Sequence, residues 1–348
     1  MTNPLAIKYL GLELSSPVIV GSCPLTINPE SVRQCVLAGA GAVVLPSMLQ
    51  EQIVYRQLQS SDPTVAIARS GYQPQQDKYN GGVDSYLATI AESKKLEQVP
   101  IIASLNGGSS GPWLEYAKQI EVSGADALEL NWQPMIADPN VTSAEVEQQL
   151  CELVQSLCAS VTIPVAVKLN QRFANLASIA HQLQDAGAKG LILFTHLPRW
   201  DVSVDRMLWT IRWELSPLNS LGTILEGIVR ARSGGLHISI AASGGVRAGE
   251  DAIKAMIAGA DVVMVTSEIY RTGPGAISNI VEGITRYLDC SRYDSVAAFQ
   301  QARPAVPLND ERMMRMEYVD PLTRSGNYFD PTPVAATHSG DAFGHPGK

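Results

Sequence analysis

An α/β fold, a single closed (β/α)8 TIM barrel, is what this sequence predicts, from a repeated unit, a strand count and a length. Four times a helix-like segment ends in Gly-Ala and an apolar run follows at once. The copies are Leu37-Ala38-Gly39-Ala40 before 41–45, Val122-Ser123-Gly124-Ala125 before 126–130, Asp185-Ala186-Gly187-Ala188 before 190–194, and Ile257-Ala258-Gly259-Ala260 before 261–265. Glycine tolerates the left-handed backbone that ends a helix, and a short unbroken apolar run is how a strand buried on both faces reads. Four more such runs interleave, at 18–20, 100–105, 164–169 and 238–242, which makes eight strands. Eight β/α units over about 280 residues match a barrel fold whose length is typically ~250. A doubly wound open sheet is the runner-up, weakened because no Gly-x-Gly-x-x-Gly follows the first strand.

Helical periodicity fills the gaps between strands, at about 28–38, 83–96, 112–123, 142–160, 174–186, 218–232, 248–258 and 274–288. Two stretches break the rhythm: 50–82 after the second strand and 195–217 after the sixth, the latter with Trp200, Trp209 and Trp213. Long loops after barrel strands are where substrate-covering segments sit. The domain is expected to run over 1–300. An irregular extension follows over 301–348, and 331–348, with His338 and His345, reads as a disordered tail.

Composition narrows the function classes. The chain has 348 residues, 45% of them hydrophobic, enough for one large core. Its apolar runs are far too short to span a membrane. The net charge of −8, without any basic block interleaved with aromatics, argues against a nucleic-acid partner. The N-terminus lacks the apolar core of a secretory signal, so a cytoplasmic location is expected. Five cysteines, at 23, 35, 151, 158 and 290, form no Cys-x-x-Cys pair and read as reduced thiols rather than metal ligands. Cys151 and Cys158, seven apart, share a helix face. Cys23 ends Gly21-Ser22-Cys23 beyond the first strand and is placed to line the barrel mouth.

Parallel barrels carry their chemistry at the C-terminal ends of the strands. Ser243-Gly244-Gly245 follows the seventh strand and Thr266-Ser267 the eighth. In barrels these two loops commonly hold phosphate, and glycine lets backbone N–H groups approach its oxygens. The plainer alternative is a tight strand-to-helix turn. Lys168 ends an otherwise apolar strand, and lysine is seldom buried without a partner. Three roles are open to it: a cation beside an electron-rich cofactor, a Schiff-base nucleophile, or a salt bridge to Glu129 across the mouth. Asn131 closes Glu129-Leu130-Asn131 at the same rim, either as a site donor and acceptor or as a local turn residue.

Together these residues resemble the FMN-dependent dihydroorotate dehydrogenase family, closest to its dihydroorotate dehydrogenase-like branch, over roughly 5–300. The resemblance is carried by Tyr9-Leu10-Gly11-Leu12, Gly39-Ala40-Gly41-Ala42-Val43-Val44-Leu45-Pro46-Ser47, Ile102-Ala103-Ser104-Leu105-Asn106-Gly107, Ala125-Asp126-Ala127-Leu128-Glu129-Leu130-Asn131, Ile163-Pro164-Val165-Ala166-Val167-Lys168-Leu169 and Ala241-Ala242-Ser243-Gly244-Gly245-Val246. It implies FMN as cofactor. Val20, Gly21 and Ser22 match the turn that runs along the flavin, and Ser47 a flavin-contacting serine. Asn131 matches an asparagine at flavin and substrate, and Lys168 the lysine beside the flavin N1/O2 edge. Gly244, Gly245, Thr266 and Ser267 match the phosphate-binding strand ends.

The departures fall on the substrate half. Where orotate-making relatives have a lysine, this chain has Pro46. Their Cys or Ser base, three residues after the asparagine, is replaced by Pro134 in Asn131-Trp132-Gln133-Pro134. After the sixth strand their asparagine gives way to Thr195, followed by His196. Of the clamping asparagines, Asn131 remains, with Asn80 as a further candidate. His196 is the candidate base, since histidine titrates near neutrality, or else caps a turn; Cys23 is the weaker alternative. Two functions are therefore expected. The first is an FMN oxidoreductase acting on a CH–CH bond of a small carbonyl or carboxylate substrate, dihydroorotate to orotate in pyrimidine biosynthesis being the family default. The second is a barrel that binds a flavin or phosphate ligand without turnover, as a binding or assembly protein. A homodimer is left open, and direct coupling to NAD would require a partner, because the chain has no iron–sulfur cysteine cluster.

Overall fold

In the computed structural model, residues 3–58, 63–95, 99–108, 111, 113–304 and 311–324 are described. The chain divides into two units, 1–304 and 305–348. An N-terminal hairpin, β1 (Ile7–Tyr9) and β2 (Leu12–Leu14), precedes β3 (Val18–Val20), β4 (Ala42–Leu49), β5 (Ile101–Asn106), β6 (Ala127–Asn131), β7 (Val165–Leu169) and β8 (Gly190–Leu193). A second hairpin, β9 (Arg199–Ser203) and β10 (Leu208–Arg212), is followed by β11 (Ser239–Ser243) and β12 (Val262–Val265). Strands β11, β12 and β3 to β8 close into one parallel eight-stranded barrel, the predicted architecture.

Helices lie between the barrel strands: α1 (Pro29–Leu37), α2 (Gln50–Leu58), α3 (Pro63–Ser70), α4 (Gly82–Lys94), α5 (Trp113–Val122), α6 (Ser143–Ser160), α7 (Leu176–Asp185), α8 (Leu221–Arg232) and α9 (Gly249–Ala258). They are followed by α10 (Ser267–Thr272), α11 (Gly275–Asp289) and α12 (Val296–Gln301). The repeated Gly-Ala unit works as read: Gly39, Gly124, Gly187 and Gly259 have φ between +96° and +124°, and a barrel strand follows each. Side chains of β3, β7, β8 and β12 are buried throughout, as strands covered on both faces require.

Three features were hidden in the sequence. The N-terminal hairpin lies against the N-terminal ends of β8 and β11: Leu10 N–H donates to Ser239 Oγ at 3.1 Å, and Leu10 reaches Gly190 so closely that a Cβ there would stand 2.5 Å from its methyl carbon. The loop after β4 contains α2, α3 and a 3-10 turn, Pro74–Tyr79. The loop after β8 contains the β9–β10 hairpin, whose Trp200, Leu208, Trp209 and Ile211 side chains are exposed.

Asp261, two residues after α9's glycine cap at Gly259, ties the bottom of the barrel. It accepts from Arg232 at 2.7 Å, from the Ile240 N–H at 2.8 Å and from Arg303 at 3.3 Å. In the second unit, α13 (Glu311–Arg324) places the Arg315 guanidinium 5.0 Å from the centre of the Tyr318 ring. The segment 331–348, with His338 and His345, lies outside the described residues. Among the described residues, no helix is long and apolar enough to cross a membrane and no group of His, Cys, Asp and Glu is arranged to hold a metal ion. All five cysteines are free thiols.

Candidate functional site

The C-terminal ends of the barrel strands open on a cavity of about 990 Å³. That lies at the upper end of the ~300–1,000 Å³ common for ligand pockets. Of the sequence-predicted site residues, Ser22, Asn131, Lys168, Thr195, His196, Gly244, Gly245, Thr266 and Ser267 line it together. Val20, Gly21 and Ser47 stand behind this wall. Val20 is fully buried in β3 and Ser47 is buried in β4, where its hydroxyl lies 2.8 Å from Ser104 Oγ and 3.4 Å from Ser22 Oγ.

One end of the cavity is a backbone cradle. Gly244 and Gly245 have φ of +108° and +74°, which side chains rarely tolerate. A Cβ on Gly245 would stand 2.6 Å from the backbone nitrogen of Leu221, where α8 begins, so only glycine lets the loop press on that helix start. Beside it, Ser267 Oγ donates to Ser216 Oγ at 3.1 Å and accepts from the Ser216 N–H at 3.0 Å. Arg271 donates to the Ser216 carbonyl at 2.6 Å, which pins the strand of chain returning from the β9–β10 hairpin.

The floor is ionic. Lys168 is 7% exposed and its ammonium lies 3.4 Å from Oε1 of Glu129, which is fully buried and also accepts from Ser104 Oγ at 3.0 Å. The salt bridge expected as one role of Lys168 is therefore present, and the lysine also faces the cavity. Asn131 lies opposite Lys168 in the β6–β7 register, and its Oδ1 is buried without a partner among the described residues. Asn106, opposite Asn131 in the β5–β6 register, lines the cavity as well. Its signal in the sequence is an asparagine that ends the strand next to that of Asn131.

At the mouth, His196 donates from Nε2 to the Glu214 carbonyl and meets the Trp213 ring edge-on at 5.1 Å. Arg199, which starts the hairpin, pairs with the Glu214 carboxylate at 3.4 Å, so the hairpin base forms part of the cavity wall. Cys23 lines the cavity but is only 4% exposed, and burial pushes its thiol up, which opposes a thiolate base. Burial likewise pushes the neighbouring Tyr270 phenol up to about 12.

One expectation is corrected. Asn80 does not line the cavity: it is fully buried, donates to the Ser47 carbonyl at 2.9 Å and to Gln52 at 2.6 Å, and accepts from the Gly82 N–H at 3.0 Å. With a fourth bond, from Gln52 Nε2 to its Oδ1 at 2.8 Å, Asn80 organises the β4–α4 connection instead. The loop 132–138 turns Trp132 inward against Phe173, with ring centroids 6.1 Å apart, and Pro134 is not part of the cavity wall.

With this geometry in place, comparison with known proteins is informative. A family model described as Dihydroorotate dehydrogenase matches residues 221–288, which hold α8, β11, the glycine cradle, β12 and α11. A protein of Aeropyrum pernix, named as a candidate dihydroorotate dehydrogenase A (fumarate), is 28% identical over 82% of this chain and 92% of its own length. The catalytic subunit of dihydroorotate dehydrogenase B (NAD(+)) of Anoxybacillus flavithermus is 26% identical over 85% of this chain and 94% of its own. That of Pyrococcus abyssi is 24% identical over 84% and 96%. Similarity to proteins named as dihydroorotate dehydrogenases thus runs along the whole barrel.

Proposed function

We propose that this chain is an FMN-dependent oxidoreductase acting on a CH–CH bond of a small carbonyl or carboxylate substrate, with dihydroorotate to orotate as the family default. The observation that carries the reading is one cavity lined by both the glycine cradle and the Lys168 ammonium. The residues fit FMN. Gly244 and Gly245 with Thr266 and Ser267 would hold the phosphate, Lys168 the N1/O2 edge, and Ser22 and Thr195 the ring along the wall. The unpartnered Asn131 Oδ1 is a buried acceptor awaiting a donor, which a ring N–H or substrate amide supplies.

The bound cofactor would supply the hydride acceptor, and the protein supplies binding, orientation and electrostatics. Lys168 is a fixed cation in a cavity walled by Phe194, Leu215, Ile224 and Met264, where charge counts for more than in water. His196 spends Nε2 on the Glu214 carbonyl, which leaves Nδ1 as the ring nitrogen to receive a substrate proton. The hairpin base, through Trp213, Glu214 and Leu215, shields the mouth from water. The reading extends to a role in pyrimidine biosynthesis, a cytoplasmic place of work and a homodimer. A binding barrel without turnover is not favoured, because relatives that span the barrel are named as dehydrogenases.

The test is anaerobic mixing of flavin-loaded protein with dihydroorotate while the flavin absorbance is followed. Bleaching is expected, but slowly. The residue that matches the base of orotate-making relatives is Pro134, which cannot accept a proton, Asn80 is buried away from the cavity, and loss of a positioned base costs about a hundredfold to ten-thousandfold. A rate near the ~10 per second of typical enzymes would show that the substrate half is intact. No bleaching with any small CH–CH substrate would favour the non-catalytic barrel.

A further inference from the structure

Side chains carried by five consecutive barrel segments form one hydrogen-bonded chain beneath the cavity floor. Ser22 beyond β3 meets Ser47 of β4 at 3.4 Å, and Ser47 meets Ser104 of β5 at 2.8 Å. Ser104 donates to Glu129 of β6 at 3.0 Å, and Lys168 of β7 donates to the same carboxylate oxygen at 3.4 Å. Ser22 and Lys168, the two ends, line the cavity; Ser47, Ser104 and Glu129 are buried. The second carboxylate oxygen, Glu129 Oε2, has no partner among the described residues. The hydroxyls of Tyr9, Tyr79 and Tyr86 also feel the Glu129 charge, each kept neutral by burial. Among the described residues, Lys168 is thus the cation that answers Glu129. An enclosed ion pair gains little stability over apolar residues of similar size, because both charges lose their hydration. A pair placed with its cation at a cavity wall has a use beyond stability.

We propose that Glu129 is a positioning residue that holds the Lys168 ammonium from behind and offsets part of its field, so that the pair sets the redox poise of the flavin bound in the cavity. This inference rests on the FMN reading. Lys168 favours the electron-rich, reduced ring; Glu129, one ion-pair distance further back, opposes that preference. Ser104 fixes which carboxylate oxygen faces the lysine, and the serine chain ties that geometry to the wall at Ser22.

The experiment is a double-mutant cycle of Glu129→Gln and Lys168→Met in the full chain, read by the midpoint potential of bound FMN and by thermal unfolding of the flavin-free protein. Each tenfold change in the preference for reduced over oxidised flavin is ~30 mV for a two-electron couple. Lys168→Met should lower the potential and Glu129→Gln raise it, each by at least tenfold in that preference, with the double variant between the two. In the flavin-free protein Lys168→Met should unfold at a lower temperature than the double variant, since it alone leaves a buried carboxylate unanswered. If Glu129→Gln does not fold, Glu129→Asp, which draws the carboxylate back by one methylene, should raise the potential by less. A Glu129→Gln protein that holds FMN at the wild-type potential overturns this inference and leaves the FMN reading standing. A wild-type protein that takes up no FMN overturns the reading and the inference with it.

Discussion

Gly21 and Thr266 meet where the first and last barrel strands close, and a methyl group on Gly21 would stand 2.6 Å from the Thr266 hydroxyl oxygen. The Gly21 N–H also donates to the Val265 carbonyl at 3.1 Å, so neither strand end can retreat easily. Gly21→Ala should therefore push Thr266 out of place, weaken FMN binding and cost about 1–3 kcal/mol of stability, as overpacking does. Calorimetry and flavin titration of the variant check both effects; unchanged binding would remove Thr266 from the phosphate site.

Gly245→Ala should be more damaging. It adds a left-handed φ penalty to a 2.6 Å collision with the Leu221 backbone nitrogen, and backbone cannot swing aside as a side chain can. The expected outcome is loss of most FMN affinity, with inorganic phosphate no longer competing for the site. Retained phosphate competition would show that the loop after β11 is only a turn.

His196→Gln separates catalysis from turn capping. Glutamine keeps a donor for the Glu214 carbonyl but takes no proton at neutral pH. The flavin reduction rate with the chain's own substrate should fall about a hundredfold to ten-thousandfold while FMN affinity holds. An unchanged rate would assign His196 to the hairpin base alone.

Alkaline stability should depend on Cys35. Burial, helped by the nearby Cys23, pushes its thiol from 9.0 to about 11. The folded state therefore holds this proton more tightly than the unfolded chain. The stability it confers is complete below pH 9 and is lost as pH rises through about 11. The thermal unfolding midpoint should fall across that window, and Cys35→Ala should flatten the fall. An equal slope in the variant would place the alkaline sensitivity in the buried tyrosines.

The barrel was legible because its signal is repeated: each Gly-Ala cap and apolar run is short, local and dictated by burial on both faces. The cavity lining was legible where one residue breaks an apolar strand, as Lys168 does, or where glycines follow one, as Gly244 and Gly245 do. What stayed hidden depends on long-range contact. The β9–β10 hairpin is amphipathic on neither face, with Trp200 and Trp209 exposed, so alternation could not reveal it. Asn80 looked like a ligand residue because its partners, Gln52 and the Ser47 carbonyl, are 28 and 33 residues away. The sequence offers cavity cation and partner of Glu129 as alternatives for Lys168; that one side chain fills both roles follows from the β6–β7 pairing.

The central claim, that the cavity above Lys168 holds FMN, is tested most directly by titrating FMN into the flavin-free chain and following quenching of flavin fluorescence. The account predicts saturation at one FMN per chain, with binding much weakened in Gly245→Ala; a wild-type protein that quenches no flavin fluorescence would contradict it.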